Sequence, residues 1–174
     1  MKPSVVASNS AFIEKGLVEI FGQDLALSDL PDVRQAVDQI FGQAEARGML
    51  LRAGRAAFYY WMRDNADALG WRDVDFRMLP APGRIKKALN DALLWFETES
   101  LLKGELSITD SVWQITVKRL VGEGARLDCS TFIGLMQELT CWAGAGKFYP
   151  AREIECQSDG MECCLFEISK LPAG

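Results

Sequence analysis

Apolar positions along this chain first follow a helical period and then, in the second half, a two-residue one. Ile85, Leu89, Ala92, Leu93 and Phe96 recur at three- and four-residue steps, which predicts a helix from Arg84 to about Ser100, introduced by Pro82 and Gly83. Upstream, Val33, Ala36, Val37, Ile40 and Phe41 obey the same rule, with a start at Asp32 and an end by Gly48. A second helix is expected from about Met49 to Leu69, stopped by Gly70. Its AFYYWM segment is apolar around most of its circumference, so it should be contacted on several sides. The run AFIEKGLVEIF admits either a short helix or a strand, and LPAPG at 79–83 reads as a loop.

After Gly104 the texture changes. VWQITVKRL alternates as a half-buried strand does and is rich in β-branched and aromatic residues. GEGARLD reads as a turn, CSTFIGLMQELTCW returns to helical periodicity, and GAG closes that helix. Two strand-like runs follow, Tyr149 to Ser158 and Glu162 to Ser169, joined by Asp159 and Gly160. No repeat, low-complexity tract or linker interrupts the pattern. The expectation is one α+β domain over residues 1–174: helices first, then an antiparallel sheet packed with helices, one helix being inserted within it.

Composition narrows the function. A net charge of −5 and scattered basic residues argue against a nucleic-acid surface; RIKK at 84–87 reads as a solvated helix face. No stretch approaches the roughly 18 apolar residues that a membrane span needs. The N-terminus lacks the apolar core of a signal peptide, so a cytoplasmic location is expected by default. There thiols stay reduced, and five cysteines point to metal or packing before disulfides. The chain has no histidine, which removes the usual general base and haem ligand. It has no P-loop and no GxGxxG opening a helix after a strand, so an autonomous reductase or other enzyme is not expected.

The thiols and carboxylates gather in REIECQSDGMECC, residues 152–164. Cys156 and Cys164 flank a tight hairpin, and two thiolates there make half a tetrahedral zinc site. Cys129 falls at a predicted helix start, where unsatisfied N–H groups favour a thiolate. Glu153 or Glu155 could supply a fourth donor. In a regular strand, however, both point to the face opposite Cys156, so Glu153 joins only if the strand twists or bulges between them. Cys163 and Cys164 should face opposite sides, and Cys164 shares its side with Phe166 and Ile168. For any one of these cysteines, core packing is the ordinary alternative.

These residues resemble the C-terminal half of the 4-vinyl-reductase domain family. The features are Cys129 and Gly134 on the helix, Glu153-Ile154-Glu155-Cys156, Gly160, Cys164, and Phe166-Glu167-Ile168, clearest over residues 129–168. Upstream, RAGRAA at 52–57 and the strand around Trp113 are similar in type and order. The resemblance implies the mixed α/β ligand-binding fold of haem-nitric-oxide sensors and TRAPP vesicle-tethering subunits, whose relatives include the sensory domains of phenol-responsive activators. It implies a structural zinc held by Cys129, Glu153, Cys156 and Cys164, with Cys163 an extra neighbour and Cys141 outside the pattern. It also implies an apolar cavity beside the clasp, for which Phe58, Trp61, Trp95, Trp113, Phe132 and Tyr149 are the candidates. The phenol sensors use a histidine in that cavity and this chain has none, which puts phenol itself in doubt.

Three functions follow from the resemblance. The first is a non-catalytic domain that binds an apolar, aromatic, hydrocarbon or tetrapyrrole-like small molecule, passing any output through a partner. The second is an accessory role in (bacterio)chlorophyll biosynthesis. The third is a TRAPP-like homodimer that acts by interaction alone.

Overall fold

The computed structural model describes residues 11–22, 37–99, 101–118, 128–156, 161 and 163–174. Among these, the helices are α1 (Ala11–Phe21), α2 (Gln43–Asn65), α3 (Val74–Met78), α4 (Ala81–Thr98) and α5 (Cys129–Ala143). The strands are β1 (Lys103–Ile108), β2 (Val112–Lys118), β3 (Ala151–Glu155) and β4 (Cys164–Ser169). All strand pairs are antiparallel in the order β1-β2-β4-β3, so the fold is α+β with one helix inserted between sheet strands. The expected start at Asp32 and the turns at 122–127 and Asp159-Gly160 lie outside the described residues.

Several boundaries differ from the periodic reading, each for a local reason. Residues 37–41 are helical, but the break falls at Gly42, whose φ of 82° only glycine adopts easily, and not at Gly48. α2 therefore runs unbroken through Gly48, where an added Cβ would meet nothing within 4 Å. It stops at Asn65, short of Leu69, and a turn carries the chain to Gly70 at φ 68°. The AFIEKGLVEIF segment resolves as helix, burying Phe12, Ile13, Gly16 and Leu17 on one side. Ala81, Pro82 and Gly83 belong to the first turn of α4 and not to a loop, because proline near a helix start loses only an N–H that would be unpaired there. Two short elements, α3 and β1, carry no clear period. Most of β1 is exposed, as befits an edge strand.

α5 is the axis of the molecule. Every residue from Cys129 to Thr140 is buried, as expected of a helix packed all round. Its start is fixed by Asp128, whose carboxylate accepts from the backbone N–H of Ser130 at 2.8 Å and of Thr131 at 3.4 Å. One side meets α2 at a close crossing. A Cβ at Gly54 would lie 1.9 Å from the carbonyl oxygen of Thr131, and one at Gly134 would lie 2.0 Å from that of Leu51. The other side faces the sheet, whose inner surface alternates as strands must: Trp113, Ile115 and Val117 on β2, then Cys164, Phe166 and Ile168 on β4. Val117 pairs with Cys164, Ile115 with Phe166 and Trp113 with Ile168, so this face is continuous across the two central strands. Among the described residues no helix is long and apolar enough to cross a membrane.

Candidate metal centre

Three elements deliver four donors to one point. Cys129 opens α5, Cys164 opens β4, and Glu153 and Cys156 come from β3 and the residue that follows it. One donor atom from each lies within 4.8 Å of all the others. The Cys129 Sγ is 3.7 Å from that of Cys156 and 3.4 Å from that of Cys164, far beyond the roughly 2.0 Å of a disulfide. Sulfurs placed tetrahedrally at about 2.3 Å from a zinc ion lie about 3.8 Å apart, close to the separations here.

The bulge that this arrangement requires is present. Glu153 pairs with Phe166, but Glu155 pairs with Leu165, so β3 advances two residues while β4 advances one. Ile154 is the extra residue and is turned outward, 42 % exposed. Without it, Glu153 and Cys156 would stand on opposite faces; with it, both face α5. Glu153 then lies in an awkward position for a carboxylate. Its Oε1 is buried and has no hydrogen-bond partner among the described residues, while its Oε2 lies 4.0 Å from the Arg47 guanidinium. A carboxylate oxygen left without a partner costs folding free energy, and thiol packing gives no reason for that cost. A cation among the three sulfurs does give one, so the residues present fit a metal ion.

Neighbouring thiols are arranged differently. Cys163 is half-buried, and Cys141, also half-buried, lies late in α5 outside the four-donor cluster. Burial, and after it the nearby Glu138 carboxylate, pushes the Cys141 thiol above its usual range.

The six aromatic candidates do not converge on one point. Phe58, Trp61 and Trp95 join a ring cluster with Phe12, Phe96, Trp71 and Trp142, in which Trp61 meets Trp71 at 5.3 Å and Trp95 at 5.4 Å. Rings in such contact fill their own space. Phe132 instead packs on Phe166 at 5.0 Å, and Trp113 edges onto Tyr149 at 5.9 Å. Phe132 is three residues from Cys129 and Phe166 two from Cys164, so this pair forms the apolar wall beside the metal donors.

Sequence reasoning missed a polar clamp between α2 and α5. Glu138, only 7 % exposed, accepts from the Arg55 Nε at 2.7 Å and from the Tyr59 hydroxyl. That bond, then burial, pushes the Tyr59 phenol up to about 12. A signal was available: Glu138 is a lone charge in an otherwise uncharged helix, and a buried carboxylate needs partners.

No family model matches the chain, and no curated protein does. Solved structures do. The phenol-responsive sensory domain of the transcription activator PoxR, with phenol, is similar at a TM-score of 0.54 and 18% identity, covering 92% of this chain and 90% of that one. A structure solved for the mechanism of H-NOX activation gives 0.53 at 12% identity, covering 100% and 99%. An oxygen-binding H-NOX domain related to soluble guanylate cyclases gives 0.50 at 13%, covering 93% of each. At these identities the likeness is one of fold: helices packed on a four-stranded antiparallel sheet, shared with domains that bind small ligands.

Proposed function

We propose that this protein is a metal-stabilised, non-catalytic domain of the 4-vinyl-reductase type that holds an apolar small molecule between α5 and the sheet. The observation that carries the metal part is the four-donor cluster with its orphaned carboxylate and the bulge that produces it. Zinc suits three thiolates and one carboxylate, and such a closed set leaves no position for water or substrate, so its role is to stabilise. In this reading Cys129, Glu153, Cys156 and Cys164 tie the start of α5 to the bulged end of β3 and the start of β4.

The fold likeness to a phenol-responsive sensory domain and an oxygen-binding H-NOX domain supports a small-molecule ligand. Ring packing within the chain favours where it would sit. Phe58, Trp61 and Trp95 are engaged with one another, and Trp113 and Tyr149 meet toward the far end of α5, whereas Phe132 and Phe166 form the wall beside the clasp. An apolar ligand there would report on the clasp through the residues that carry it.

Native mass spectrometry of freshly purified, untagged chain is the test. One zinc per chain, absent from Cys156→Ser, with a further retained mass, is the expected result. Folded chains that carry neither metal nor ligand would overturn the reading and leave interaction through a protein surface as the function.

A further inference from the structure

A second cleft lies at the opposite end of α5 from the metal donors. It encloses about 340 Å³ and is lined by Trp71, Phe76, Trp142, Arg77 and Arg84, with Ala143 and Ala145 at its edge. Trp142 lies thirteen residue steps along the helix from Cys129, about 20 Å at the helical rise, so the two sites are independent.

Two features distinguish this cleft. The first is its aromatic floor. Trp71, Phe76 and Trp142 lie 5.2–6.0 Å apart with planes within 31° of parallel. Trp71 is held in place by its indole N–H, which donates to Asp91 at 2.9 Å, and Lys87 neutralises that carboxylate at 2.9 Å. The second is charge. Every other described arginine lies within 4.0 Å of a carboxylate, yet neither Arg77 nor Arg84 has an acidic partner among the described residues. In a chain of net charge −5, the two described guanidinium groups without an acidic partner share one small cleft.

Arg84 has a structural part to play as well. Its Nε donates to the carbonyl of Ala143 at 2.9 Å and its Nη1 to that of Arg77 at 3.3 Å, so it ties the end of α5 to the residue after Phe76. Those bonds also hold its planar fork still, which lowers the ordering cost of binding an anion with the remaining Nη2. Arg77, more exposed, adds the second charge.

We infer that this cleft binds a small planar aromatic acid. The ring system stacks on the Trp142 side of the floor and the carboxylate meets Arg77 and Arg84. Flat rings favour a flat partner, guanidinium forks match carboxylate oxygens, and the volume suits a one- or two-ring molecule.

The test titrates the full chain with 2-naphthoate and, separately, with neutral 2-naphthamide, by calorimetry and by nitrogen–proton correlation spectra. The expected result is saturable 1:1 binding of naphthoate, at least about tenfold tighter than the amide, with shifts at the Trp142 indole and Ala145 amide. Arg77→Gln should weaken naphthoate about tenfold or more and leave the amide within about twofold. Equal affinity for acid and amide, an unchanged Arg77→Gln, or shifts centred on the Trp113 indole would each overturn the assignment. So would an absence of saturable naphthoate binding. Arg84→Lys is the second variant; it keeps the charge and should retain more affinity than Arg77→Gln provided its melting curve shows a folded chain.

Discussion

Glu153 is the residue on which the metal reading turns, because its two possible explanations predict opposite signs. If Oε1 is a metal ligand, Glu153→Gln removes an anionic donor and weakens the clasp. If the carboxylate is merely trapped among packed thiols, the same substitution relieves a buried carboxylate oxygen that has no hydrogen-bond partner and stabilises the fold. The expected outcome is a lower melting temperature for Glu153→Gln in zinc-loaded protein and a higher one after chelation. Cys156→Ser should act in one direction only, destabilising the loaded protein by on the order of 4 kcal/mol, which is roughly 8–16 °C in Tm for a chain of this size. Calorimetry on both variants, with and without chelator, checks the pair. Stabilisation of Glu153→Gln in both states would show that the cluster is packing alone.

At the scale of elements, the close crossing of α2 and α5 and the polar clamp beside it make two further predictions. An alanine methyl at residue 134 would sit 2.0 Å from a backbone oxygen that cannot move aside alone, so Gly134→Ala should cost roughly 1–3 kcal/mol in urea unfolding. The clamp titrates. Tyr59 has its pKa raised to about 12 by donating to Glu138, against an unfolded value of about 10. Its contribution is therefore complete below pH about 10 and fades as pH rises through about 12. Tyr59→Phe should remove this alkaline loss, seen as the late phenolate absorbance, and cost about 1 kcal/mol at neutral pH because the ring is half exposed. Legibility in the sequence followed element character. α4, β2, α5 and β4 bury one face or all faces and show it as a period. β1 and α3 bury little, so no pattern betrays them. Cys129, Cys156 and Cys164 were readable from helix start and hairpin spacing, but Glu153 needed a bulge whose cause is the pairing with β4, which local pattern does not encode. The cleft arginines were hidden for the same kind of reason: Arg77 and Arg84 meet Trp142 only through tertiary packing.

For the whole molecule, the position of the clasp sets which parts should loosen when it is lost. Its four residues tie the start of α5 to the end of β3 and the start of β4, two strands that are otherwise joined by their own backbone ladder. β3 is an edge strand held by β4 alone, and its ladder is already interrupted at Ile154. The ring cluster of α1, α2 and α4, by contrast, is closed by Phe12, Trp61, Trp95 and Phe96 without any clasp residue. Stability should therefore divide unevenly. Hydrogen exchange measured before and after chelation is expected to rise first and most at 151–156 and 164–169, next at the first turn of α5, and least in α2 and α4. Because α5 carries both the clasp at its start and the wall of the proposed apolar site, occupancy of that site should slow exchange over the same segments in chelated protein. A uniform rise across all elements would mean that the ion holds the global fold, and no rise anywhere would mean that thiol packing suffices. Only the graded pattern makes the clasp a local tie, placed where a bound ligand can tighten or relax it.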